Sequence, residues 1–68
     1  MEIQKRLAER VKRYRLERGL SQEELADRAG LHRTFISQIE RATKKTTIQS
    51  TGQVAKALGV TFGQLLDD

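Results

Sequence analysis

The 68-residue sequence has no cysteine, no proline and no tryptophan. Without cysteine there is no disulfide and no thiolate metal site. The core must be built by packing alone, near the lower size limit at which packing suffices. Without proline, nothing breaks a helix from inside. The single histidine, His32, supplies too few ligands for a metal. No base stands beside an orienting partner in the way a catalytic centre requires. No cofactor and no enzymatic activity are therefore expected. No apolar run is long enough to span a membrane, and no charged-then-apolar leader opens the chain. A cytoplasmic protein with no membrane partner is expected, as one domain over residues 1–68.

Positive charge is in surplus. Thirteen Lys and Arg against nine Asp and Glu give a formal +4, which points to a polyanionic partner. A surface that merely happens to be basic would read the same way, so charge alone does not decide.

Helical periodicity recurs along the chain, broken by one polar connection. Residues 2–18 place Ile3, Leu7, Val11 and Tyr14 on one stripe. Arg6, Arg10, Lys12, Arg13 and Arg15 cover the other sides and read mostly as a solvated face with i,i+4 pairs such as Glu2 with Arg6 and Glu9 with Arg13. Gly19 ends this helix, and Leu20 folds back onto the core. Leu16 lies off the stripe and reads as an exposed leucine.

The segment SQEELADRAGLHRTFISQIER, Ser21 to Arg41, is the centre of the chain. Ser21 and Glu24 form a capping box that starts a helix. Ala26 is small where two helices must come close, and Gly30 suits the left-handed turn between them. The next helix points Ile36 and Ile39 inward. Its other sides carry Arg33, Thr34, Ser37, Gln38 and Arg41. Hydrogen-bonding side chains opposite apolar anchors suit the reading of base edges in a DNA groove. Phe35, beside Ile36, reads as packing rather than base stacking. Glu40 is expected to pair with Arg41, Arg15 or Arg18.

A polar connection, ATKKTT, follows. Lys44 and Lys45 within it are positioned to meet a DNA backbone. A fourth helix is predicted from about Ile48 to Leu58, capped by Thr47, with Ile48, Val54, Ala55 and Leu58 on its apolar side. Gly52 in its middle costs roughly 1 kcal/mol relative to Ala, so Gly52→Ala is expected to stabilise. Gly59 ends this helix. Thr61 and Gln64 form a second capping box for a last short helix carrying Phe62, Leu65 and Leu66. The fold class is all-α, with five helices and no strand.

The motif at 21–41, together with ALGVTFGQLL further on, resembles the helix-turn-helix family of phage repressors and Cro, and within it the small controller proteins of restriction–modification systems. The likeness runs from about Leu7 to Leu66. It implies a compact five-helix bundle with the helix-turn-helix at about residues 22–41. It also implies a homodimer on double-stranded DNA at an inverted-repeat operator, regulating transcription. Members both block and recruit transcription, so contact with RNA polymerase stays open. The resemblance places Arg33, Thr34, Ser37 and Gln38 at base edges and Gln22 at a phosphate. His32, Arg41, Lys44 and Lys45 are further phosphate candidates. The terminal apolar cluster Val60, Phe62, Leu65 and Leu66 either finishes the core or forms the dimer contact. The chain departs from the family pattern at Ala42, where Gly is usual, at Lys45-Thr46, where Asn-Pro is usual, and at Thr51 and Gly52, where apolar residues are usual. Two other classes stay open: an antitoxin-like autorepressor that binds a toxin, and a helical bridge between proteins that does not bind DNA.

Overall fold

Five helices make up the computed structural model, which describes residues 2–67: α1 (Ile3–Glu17), α2 (Gln22–Ala29), α3 (Arg33–Glu40), α4 (Ile48–Leu58) and α5 (Phe62–Leu66). No strand occurs among the described residues. The starts of three helices are set by side chains. The Glu24 N–H donates to Ser21 Oγ at 3.0 Å and the Ser21 N–H returns the bond to Glu24 Oε1 at 2.9 Å. The same reciprocal pair joins Thr61 and Gln64 at 3.1 and 2.8 Å. At α4, Thr47 Oγ1 accepts from the Ser50 N–H at 3.0 Å. Hydrogen bonds from the Ser21 backbone and hydroxyl also hold the Glu24 carboxyl below the ordinary glutamate range.

The turn between α2 and α3 depends on Gly30. Its φ of +69° is left-handed, and it lets the Leu31 N–H reach back to the Ala26 carbonyl at 2.9 Å. Ala26 is almost fully enclosed, as a close helix crossing demands. Leu25, Ile36, Leu65, Val11 and Val54 are the largest wholly buried side chains, and they join all five helices into one core.

The first helix departs from expectation. Its buried row is Leu7, Ala8, Val11 and Arg15, with Tyr14 packed at the edge. Ile3, expected on the core stripe, is 58 % exposed, and Ile48, expected on the apolar side of α4, is 83 % exposed. Each is the first residue of its helix. Together with Phe62 and Leu66 they line an open groove instead of closing the core. The expected solvated basic face of α1 is also partly structural. Arg6 Nη1 donates to the Leu66 carbonyl at 2.6 Å, and Arg10 Nη1 donates to the Gln64 carbonyl at 2.7 Å. Arg18 Nε reaches the Leu58 carbonyl at 2.6 Å. Carbonyls at helix C-termini lack intrahelical donors and carry the negative end of the dipole, so guanidinium groups satisfy both needs. Arg13 pairs with Glu17 at 4.0 Å. Leu16 is exposed, as expected.

The two unusual residues of α4 have local explanations. Thr51 is buried, and its hydroxyl is paired with Thr46 Oγ1 at 2.9 Å, so no polar atom is stranded there. Gly52 lets the Phe62 ring lie close against α4, because a Cβ at this position would stand 3.3 Å from Phe62 Cζ. The gain expected from Gly52→Ala is therefore reduced. We expect it to stabilise by less than the roughly 1 kcal/mol of helix propensity, and by the full amount only when Phe62 is also Ala. Thermal unfolding of the two single variants and the double variant checks this. Equal effects of Gly52→Ala in both backgrounds would show that the Phe62 contact is immaterial.

Candidate nucleic-acid interface

Helix α3 is sorted into two sides by its own spacing. At about 100° per residue, Arg33, Thr34, Ser37 and Gln38 fall within an arc of roughly 140°, and Ile36 and Ile39 centre on the opposite side. The structure bears out this division. Ile36 is 0 % and Ile39 2 % exposed, while Arg33 and Thr34 are exposed and Ser37 and Gln38 half-buried. The four polar side chains are thus gathered on the outer face of one helix, held from behind by two isoleucines. Phe35 lies between the two sides and packs against the core.

The surrounding candidates are placed as follows. His32 is the N-cap residue of α3 and is exposed. Its backbone carbonyl accepts from Phe35 and Ile36, but its side chain makes no capping bond. Arg41 is the exposed C-cap residue. Gln22 is the first residue of α2, half-buried, and its Nε2 donates to Glu40 Oε1 at 3.3 Å. Lys44 places its Nζ 4.9 Å from the centre of the Phe35 ring, which holds the loop cation beside α3. Lys45 is exposed and borders the apolar groove near Ile3 and Ile48.

The connection after α3 is fastened by local hydrogen bonds. The Thr43 N–H and Oγ1 both donate to the Gln38 carbonyl, at 3.1 and 3.2 Å. This turn puts Ala42 at φ +56°, the left-handed region. A Cβ there is strained, which is why the resembling family favours glycine at this point. Ala42→Gly is expected to stabilise the fold by about 1 kcal/mol without altering any side-chain contact of α3. A denaturant midpoint that is unchanged or lowered would contradict the strain assignment.

At the chain's end, Val60 and Leu66 are half-buried against the core and Phe62 is 42 % exposed. Leu65, expected among the dimer residues, is 0 % exposed and belongs to the protomer's own core. It leaves nothing for a partner to touch.

Sequence reasoning missed two features. One is the burial of Arg15; among the three partners expected for Glu40 it is Arg15 whose guanidinium grips the carboxylate, with two bonds at 2.7 and 3.0 Å. Hydrogen bonding to Glu40 raises the Arg15 pKa above the ordinary arginine value, against the opposing effect of burial. The signal was present, because Arg15 continues the Leu7, Val11 row at i+4. The other is the use of Ile3 and Ile48 in the groove, for which periodicity carries no signal.

A family model described as helix-turn-helix matches residues 11–65, and the chain belongs to that family. Control protein C.SmaI of Serratia marcescens is 44 % identical over 66 residues, which cover 97 % of this chain and 79 % of that protein. Control protein C.BamHI of Bacillus amyloliquefaciens is 43 % identical over 60 residues, covering 87 % of this chain and 74 % of its own. Among solved structures, the restriction–modification controller protein C.Esp1396I, a tetramer in complex with its natural 35 base-pair operator, matches with a TM-score of 0.85. It is 37 % identical, and the match covers 91 % of this chain and 82 % of that one. No helix among the described residues is long and apolar enough to cross a membrane.

Proposed function

We propose that this chain is a sequence-specific regulator of transcription. It binds double-stranded DNA as a homodimer at an inverted-repeat operator, acts as a single DNA-binding domain over residues 1–68, and works on the chromosome in the cytoplasm. The observation that carries the reading is the outer face of α3, where Arg33, Thr34, Ser37 and Gln38 stand together opposite two buried isoleucines. The membership in the helix-turn-helix family and the likeness to an operator-bound controller protein support it.

The chemistry follows from the side chains. A helix fits the major groove, where each base pair shows a distinct pattern of donors and acceptors. Arg33 can grip guanine O6 and N7 together, a contact worth about 1–3 kcal/mol of discrimination. Gln38 can pair with adenine through both ends of its amide. Thr34 meets a thymine methyl or a phosphate, and Ser37 donates to whichever acceptor lies beside it. Gln22, His32, Arg41, Lys44 and Lys45 contact phosphates, which set register and supply affinity without choosing sequence. Gln22 is well placed for this, because the first turn of a helix has free N–H groups and the positive dipole end.

The dimer contact centres on Phe62 and Leu66, with Val60 beside them. Ile3 and Ile48 extend the apolar surface across the groove. A second copy of this chain is the occupant we assign, since a two-fold dimer can set two α3 helices about 34–36 Å apart, one turn of DNA.

Selection of bound DNA from a random pool tests the whole reading. A palindromic consensus is expected, and failure to enrich any sequence would overturn it. Two sets of variants separate the roles. Arg33→Ala should abolish preference for the selected site and leave a weak, salt-sensitive affinity for any DNA. Lys44→Ala with Lys45→Ala should weaken binding to all sequences alike and make the salt slope shallower by up to ~2 units. Titrations on operator and unrelated duplexes at several salt concentrations measure both.

A further inference from the structure

Glu40 ends α3, yet its side chain is only 4 % exposed. Arg15 Nε donates to its Oε2 at 2.7 Å and Arg15 Nη2 to its Oε1 at 3.0 Å. Arg15 Nη1 also donates to the Leu20 carbonyl at 2.8 Å, in the link between α1 and α2. The Gln22 amide then donates to Glu40 Oε1 at 3.3 Å. One carboxylate therefore joins the end of α3 to α1 and to the first residue of α2. An ionised carboxylate only accepts hydrogen bonds, so the neighbouring amide must turn its nitrogen toward it. The second N–H of that nitrogen remains a donor. Because Arg15 answers its charge, the carboxylate can stand behind a DNA-binding surface without repelling phosphate.

We propose that Glu40 is a positioning residue for DNA binding. It touches no DNA. It holds the Gln22 amide with a donor available for phosphate, and it ties the start of α2 to the end of α3. The phosphate anchor and the reading face then meet the duplex as one rigid unit. This inference rests on the reading of α3 as the recognition helix, and it assigns DNA affinity to a buried acidic residue.

The test replaces the buried ion pair as a whole. Arg15→Met with Glu40→Leu removes the carboxylate without stranding a charge, an exchange that buried pairs often tolerate. Affinity for operator and for unrelated duplex should both fall about three- to tenfold, the scale of one lost hydrogen bond. The slope of affinity against salt should not change, because the amide is neutral. Gln22→Ala should cause the same loss, and the triple variant should lose no more than either. Arg15→Met with Glu40→Gln keeps a carbonyl oxygen facing Gln22 and should recover most of the affinity. Thermal unfolding checks that the leucine variant folds; where it does not, Arg15→Met with Glu40→Met supplies the coupling test. Losses that multiply in the triple variant, or wild-type affinity of the folded Arg15→Met, Glu40→Leu variant, would overturn the proposal. Absence of DNA binding by the wild-type chain would instead overturn the reading beneath it.

Discussion

The structure depends on how α3 is held. A reading helix must leave one face open, so all of its anchoring comes from the other. Here Ile36 and Ile39 supply that anchoring within eight residues, and both are almost fully buried. Isolated helices of this length do not persist in water, so the conformation of α3 is a product of packing rather than of propensity. Everything around it serves that contact. Ala26 lets α2 come close, Gly30 turns the chain sharply, and Leu25, Val11, Val54 and Leu65 fill the volume behind.

Hydrophobic contact fixes α3 along its length, but polar contacts fix its ends. Arg15 and Glu40 clamp the C-terminal end against α1, and α2 is joined to the same point through Gln22. The other arginines of α1 do comparable work at the ends of α4 and α5. A basic helix in a basic protein invites an electrostatic reading of every arginine. In this chain Arg6, Arg10, Arg15 and Arg18 all hold backbone carbonyls or a buried carboxylate. Of the other cations, Arg33, Arg41, Lys44 and Lys45 lie on α3, at its end and in the loop after it.

Local chemistry made much of the fold legible in advance. The Ser21–Glu24 and Thr61–Gln64 boxes, the Thr47 cap and the glycines at 30 and 59 mark helix ends through bonds spanning a few residues, and all are present. The inward pair on α3 was equally plain, because two isoleucines at i,i+3 leave one choice of face. Ile3 and Ile48 were not legible. Apolarity says that a residue prefers burial, not which neighbour arrives to bury it, and at the first turns of α1 and α4 none does. Arg15 was misread because charge was given more weight than its place in the row. Leu65 and Phe62 differ by three residues and are equally apolar. The packing of α5 buries Leu65 in the core and leaves Phe62 at the groove. Gly52 looked like a defect because its partner, Phe62, lies on another helix.

The central claim is that the outer face of α3 reads base edges in the major groove. Methylation protection tests it directly, since dimethyl sulfate reports guanine N7 in the major groove and adenine N3 in the minor groove. The account predicts guanine N7 protection in two symmetric half-sites centred about one helical turn apart. It also predicts loss of that protection when Arg33 is replaced by Ala. Protection confined to adenine N3, or guanine protection indifferent to Arg33, would contradict it.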